Sequence, residues 1–307
     1  MQKLIKEMKN GICQVTTLDE RWYCREVIDP ISKLPTIKFV PSATWIAGCY
    51  PKGIEFYKWL AKHGWDESEA IKSNAGNRGT RIHAAIDMLL AGAEIKIDQL
   101  FYNQSSGKDE ELEPDEYEAI MSFRDWFEDV KPKIIYHDLT VFSERFNFAG
   151  TLDFACEING EIWIIDFKTG QYIYPTYGIQ LTEYKQGLLE SASDYASIRE
   201  LDGKKIRLGI LQIGYKANKY KKYKFTELED KFPLFLAAYE IWKEENSKVF
   251  PHQKDYPLSI KLNKDVKPNP ETKKEAEVGP EVQTPVKAGK ATKPQTKIGT
   301  GEEDKKP

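Results

Sequence analysis

The chain has 307 residues, of which 30% are charged and 40% apolar, and its net charge is −3. That length suits one large domain or two small ones, and the balanced charge excludes a histone-like or generally polybasic protein while allowing a locally basic site. Its four cysteines, Cys13, Cys24, Cys49 and Cys156, show no CxxC spacing, which argues against structural zinc and for free thiols in a reducing compartment.

At the start, Met1-Gln2-Lys3-Leu4-Ile5-Lys6 lacks the apolar core of a signal segment. No apolar run approaches the roughly 20 residues needed to span a bilayer, so a cytoplasmic location without a membrane partner is expected. Residues 1–41 read as a small β region. Its short runs are Ile12 to Thr16, Trp22 to Val27 and Thr36 to Val40, and they suit an antiparallel sheet. Pro41-Ser42 opens a helical region with Ser42 as N-cap. Helical spacing returns from Ile54 to Ala61, with Phe56, Trp59 and Leu60 as an apolar stripe.

From Asn77 to Leu90 the positions Ile82, Ile86 and Leu89 fall at i, i+4 and i+7, a core-facing stripe. His83 and Asp87 lie four apart on the neighbouring stripe. Read alone, His83 is either a hydrogen-bonded structural residue or a metal ligand. Asp87 is either a partner for that imidazole, or for a metal water, or a plain surface carboxylate. Residues 91–113 are polar and read as a long loop. A helix is expected from about Pro114 to Val130, with Tyr117, Ile120, Met121 and Phe127 as its stripe and Trp126 alongside. A strand follows from Ile134 to Phe142, with Glu144 just after it.

The central stretch is Gly150 to Gly170. Two strands, Thr151 to Ile158 and Glu161 to Lys168, flank Asn159-Gly160, a type I′ hairpin signal because both central residues need positive φ. With a two-residue loop Ile158 faces Glu161, and stepping back along both strands sets Asp153 opposite Asp166. Lys168, two residues beyond Asp166, projects from the same face. Opposed carboxylates repel unless a cation lies between them, and hard Mg²⁺ prefers such oxygens. The other reading is a solvent-exposed sheet face. It explains Lys168 better than Asp166, which closes the apolar run Ile162 to Ile165.

A helix from about Tyr177 to Ala192 puts Gln180 and Tyr184 four apart on one face, an ordinary half-exposed face when read by itself. Lys205 to Tyr215 reads as a buried strand and Tyr220 to Phe225 as a second. Their interleaved lysines and tyrosines fit either a nucleic-acid groove or a charged edge strand that deters aggregation. A last helix, Leu228 to Lys248, packs on the sheet through Phe232, Phe235, Leu236, Tyr239 and Trp242. From Ser259 to Pro307 aromatics vanish, and 11 lysines face eight acids. Such a segment cannot build a core and is expected to be a disordered tail, a tether or a partner segment. Residues 1–258 are then the folded domain.

An aspartate, a hairpin and then Asp166-Phe167-Lys168-Thr169-Gly170 resemble the PD-(D/E)XK nuclease superfamily, more narrowly the RecB-type domain and its phage exonuclease relatives. Gly79 and His83 are similar to that group's Gly-x-x-x-His motif, Gln180 and Tyr184 to its Gln-x-x-x-Tyr pair, and Pro41-Ser42 with Tyr50-Pro51-Lys52-Gly53 to its lead-in. The resemblance runs from about Pro41 to Tyr184. It implies an α/β fold of the restriction-endonuclease type: a mixed central sheet flanked by helices. It implies a Mg²⁺- or Mn²⁺-dependent deoxyribonuclease, most nearly an exonuclease of DNA replication, recombination or repair, in the bacterial host cytoplasm if phage-encoded. Asp153, Asp166, the Phe167 carbonyl and His83 would hold the metal, and Lys168 would activate water. Gln180 would position Lys168 or that water, Tyr184 would contact a phosphate, and Glu144 and Asp87 are second-tier site residues. DNA is the implied partner, with a replication or recombination protein as a possible partner of the tail. No iron–sulfur cluster is expected, because no cysteine follows Cys156. Two other classes fit the same residues: a non-catalytic DNA-binding or replication accessory protein, and a sequence-specific endonuclease.

Overall fold

A computed structural model describes residues 4–7, 11–16, 21–191, 201, 204–249 and 251. The segment 259–307, expected to be disordered, lies outside the described residues. So does any partner site on it.

The N-terminal strands β1 (Leu4–Glu7), β2 (Ile12–Thr16), β3 (Arg21–Ile28) and β4 (Pro35–Pro41) form an antiparallel sheet in that order. Sequence reading identified three of the four. Ser42 then caps the short helix α1 (Ala43–Gly48): its hydroxyl accepts from the Trp45 N–H at 3.2 Å, satisfying one of the unpaired amides at the helix start.

The long helix α2 (Ile54–Leu90) corrects the expectation of two separated helical stretches. It runs through 62–76 as well, kinked at Gly64, whose φ of 75° only glycine adopts at no steric cost. Its first turns are mostly solvated. Phe56, expected in a buried stripe, is 40% exposed. Apart from Ser68, its buried residues begin at Arg81 and continue with Ile82, Ala85 and Ile86. Residues 91–113 are not one loop. They hold a hairpin of β5 (Leu100–Asn103) and β6 (Lys108–Glu111), which a reading of mean polarity misses because its side chains are largely solvated.

Helix α3 (Pro114–Val130) has the expected bounds, with a capping box joining Glu113 and Glu116. Its buried face is Ala119, Ile120, Phe123 and Trp126; Met121, expected in the stripe, is exposed. Arg81 of α2 and Glu116 form a buried ion pair between the two helices.

The central sheet has five strands in the order β11-β10-β9-β8-β7. They are β7 (Lys133–Ser143), β8 (Phe148–Ile158), β9 (Glu161–Lys168), β10 (Ile206–Ile213) and β11 (Tyr223–Leu228). Neighbours are antiparallel except β9 and β10, which are parallel. That parallel pair needs a long crossover, and helix α4 (Pro175–Glu190) lies within it. One face of the sheet, carrying Phe154, Trp163, Ile165, Phe167 and Leu211, packs on α2 and α3. The other packs on α4. Cover on both faces explains the unbroken apolar run Ile162 to Ile165. Helix α5 (Phe232–Glu245) was expected to pack on the sheet. It packs mainly on α1 and α4, and reaches the sheet through Phe235 against Phe148. Among the described residues no helix is long and apolar enough to cross a membrane.

Candidate functional site

The β8–β9 hairpin turns at Asn159 (φ 52°) and Gly160 (φ 82°), the two positive angles of the expected turn. The ladder runs from Ile158–Glu161 to Phe154–Ile165 in the expected register. Asp153 and Asp166 come one step beyond its last pair. The irregularity in this sheet falls instead in β7, between Ile134 and Tyr136, and leaves the hairpin's alternation intact.

At that step the strands trade ladder pairing for side-chain contacts. Asp153 Oδ2 accepts the Phe167 N–H at 2.8 Å, and its Oδ1 lies 3.3 Å from His83 Nδ1. The other ring nitrogen of His83 lies 3.0 Å from the Phe167 carbonyl oxygen. An imidazole with oxygen against both nitrogens satisfies both only by donating twice, as the cation. Burial works against that charge, but the Asp153 carboxylate and its hydrogen bond prevail and raise the His83 pKa above its ordinary value. Burial likewise pulls the Asp153 pKa upward, and the His83 charge and hydrogen bond overcome it, leaving the acid below its usual range.

Asp166 is 3% exposed. The Lys168 ammonium lies 2.5 Å from its Oδ2, an ion pair by distance, yet that oxygen has no donor aligned on it. Burial dominates and pushes its pKa up to about 6, against the pull of Lys168. The Lys168 Nζ also sits 4.6 Å from the centroid of the Tyr177 ring, a cation–π contact that holds the amine over the sheet end.

Gln180 and Tyr184, expected on a half-exposed face, are buried, because α4 is covered by the sheet on one side and by α1 and α5 on the other. Gln180 Nε2 donates to the Tyr184 hydroxyl at 2.6 Å; neither hydrogen-bonds to Lys168. The Tyr184 ring fits because position 150 is glycine: a Cβ there would stand 2.6 Å from Tyr184 Cε1.

These groups line one cavity of about 560 Å³, which holds Asp153, Asp166, Lys168, His83, Gln180 and Tyr184. Asp87 lines it too, but it pairs with His137 and not with His83. Glu144 does not line it. It is tied to Arg25 and, at 2.5 Å, to Lys38, clamping the N-terminal sheet to the end of β7. Sequence reading missed the cavity's wall from that sheet. Gln14 donates to the Tyr23 hydroxyl at 2.7 Å, and that hydroxyl lies 3.3 Å from Thr151 Oγ1. Arg21 also lines the cavity and has no acidic partner among the described residues. No local spacing signals this wall, since Tyr23 and Thr151 are 128 positions apart.

Among the described residues no three His, Cys, Asp or Glu side chains form a ready-made metal cage. As placed, His83, Asp153 and the Phe167 main chain satisfy one another. The donor set still fits a hard divalent cation: two carboxylates, a carbonyl and an imidazole, with one buried carboxylate oxygen lacking an aligned donor. No family model and no curated protein matches the chain.

Proposed function

We propose that the chain is a divalent-metal-dependent deoxyribonuclease of the restriction-endonuclease-like fold, hydrolysing phosphodiester bonds as an exonuclease. The observation that carries this is the meeting of Asp153, Asp166 and Lys168 with His83 and the Phe167 carbonyl in one cavity. The parallel β9–β10 pair with α4 in its crossover supports the fold assignment.

Asp153, Asp166, the Phe167 carbonyl and His83 would hold Mg²⁺ or Mn²⁺. When bound, the ion supplies positive charge against the phosphate and the leaving oxygen. The chain's own part is placement. Strand alternation puts both acids on one face of the sheet, lining one cavity, and the Phe167 N–H fixes the rotamer of Asp153. Lys168, held by Asp166 and Tyr177, presents N–H donors that orient water against the phosphate. Gln180 and Tyr184 line the same cavity, and their hydrogen bond holds the phenol in place.

The test is Mg²⁺-dependent degradation of end-labelled linear and circular DNA, single- and double-stranded. Asp166→Ala and Lys168→Ala are each expected to lower the rate by about 10²–10³-fold or more, the usual worth of such electrostatic groups, with the fold intact by circular dichroism. Wild-type turnover by either variant refutes the site. Discrete fragments from circular DNA would identify an endonuclease, and DNA binding in EDTA with no cleavage in Mg²⁺ a binding protein.

A further inference from the structure

Beyond Lys168 the chain builds an exposed rim that the cavity does not use. Residues 169–174 leave the end of β9, and residues 214–222 join β10 to β11. Gln171 ties the two segments side by side: its Nε2 donates to the Gly214 carbonyl at 3.1 Å, and its Oε1 accepts the Lys216 N–H at 2.9 Å. Gln212 Nε2 adds a bond to the Gly170 carbonyl at 2.9 Å. The rim is therefore anchored to the strand end that carries Asp166 and Lys168.

Three tyrosines stand out from it, Tyr172 at 74%, Tyr174 at 54% and Tyr220 at 94% exposure. Tyr174 packs edge-on against Tyr177, 5.5 Å between centroids, and Tyr177 lies under the Lys168 ammonium. Segment 214–222 carries four lysines and no acid. An edge-guarding role accounts for part of this: Lys221 and Lys222 pair with Asp129 and Glu118 of α3, and Lys224 lies over Tyr215. It does not account for Lys216, Lys219 and Tyr220, whose side chains are exposed and lack partners among the described residues. Exposed rings therefore stand beside ammonium groups that no acid among the described residues neutralises. Their chemistry matches unstacked bases and a phosphate backbone.

We propose that this rim binds single-stranded DNA next to the cleavage site, with Tyr172 and Tyr220 stacking on bases and Lys216 and Lys219 meeting phosphates. The inference rests on the nuclease reading for its substrate. A paired duplex hides its base faces, so the rings favour a single strand.

The test is fluorescence anisotropy of a labelled oligo(dT) strand and a blunt duplex of equal length, with the full chain in EDTA. The double variant Tyr172→Ala/Tyr220→Ala is expected to weaken oligo(dT) binding by about 30-fold or more, at the low end of the stacking range for two rings, and to change duplex binding little. Lys216→Ala/Lys219→Ala is expected to flatten the slope of log K against log salt by about 1.4, for two single-strand phosphate contacts. Wild-type oligo(dT) affinity in the tyrosine variant overturns the proposal, as does an equal loss on duplex. Mg²⁺-dependent cleavage is assayed alongside. Cleavage by the wild type without a tyrosine effect rejects the rim alone. A tyrosine effect with no cleavage by any form upholds the rim and rejects the nuclease reading.

Discussion

Gly150→Ala tests whether the packing behind the cavity sets its chemistry. A Cβ at this position would lie 2.6 Å from Tyr184 Cε1, 3.3 Å from Cδ1 and 3.0 Å from the Ala43 Cβ. The ring atom cannot yield as a flexible chain end does. Tyr184 is 4% exposed, with its hydroxyl held by Gln180. The ring must tilt or β8 must move, and overpacking of this kind costs about 1–3 kcal/mol. With roughly 2–4 °C lost per kcal/mol at this chain size, Tm should fall by about 2–12 °C. The origin of the cost is separable by a double-mutant cycle. In a Tyr184→Leu background the offending ring atoms are gone, and Gly150→Ala should lose at least half of its cost, the remainder reflecting Ala43. The displaced phenol should also lower DNA cleavage by Gly150→Ala. The control is Gly48→Ala at the end of α1, where an added Cβ meets nothing within 4 Å. Equal destabilisation with and without the Tyr184 ring would refute the reasoning.

Three further outcomes are expected. Glu183 is fully buried with neither carboxylate oxygen hydrogen-bonded, and burial raises its pKa well above 4.5; the folded state therefore keeps a proton that the unfolded state sheds. Its contribution is complete below about pH 4.5 and lost as pH rises, by roughly 1.4 kcal/mol per unit until the folded carboxyl ionises. Glu183→Gln should remove that slope in denaturant melts run from pH 4 to 8, and parallel curves would show the reasoning wrong. Arg81→Ala strands Glu116 in the α2–α3 interface, where both residues are 3% exposed; a loss of about 3–5 kcal/mol by urea unfolding is expected, and a loss below 1 kcal/mol would reject it. Mg²⁺ at about 100 times its dissociation constant should stabilise the wild type by about 2.7 kcal/mol, a rise of roughly 5–10 °C. That rise should vanish with EDTA and in Asp166→Ala, whereas an equal rise in the variant would place the ion elsewhere.

Local chemistry carried much of this molecule in its sequence. Asn159-Gly160 dictates a turn that pins the strand register, because few other residue pairs adopt two positive φ angles at low cost. Register plus alternation then puts Asp153, Asp166 and Lys168 on one face, without reference to the rest of the chain. The Ser42 cap and the bounds of α3 are legible for the same reason: each depends on residues within a turn of one another. Other features depend on which layers close over which, and no nearby residue encodes that. Gln180 and Tyr184 sit on a helix whose pattern allows half exposure; they are buried because their face of α4 lies against β8 at Gly150 and beside Ala43 of α1. Glu144 follows a strand near the site, yet Arg25 and Lys38 of the N-terminal sheet claim it. Asp87 lies one turn from His83 but meets His137 on β7. Gln14, Arg21 and Tyr23 join the cavity only when the N-terminal sheet docks beside β8. Contacts across such separations have no periodic trace in the chain, so tertiary packing alone decides them.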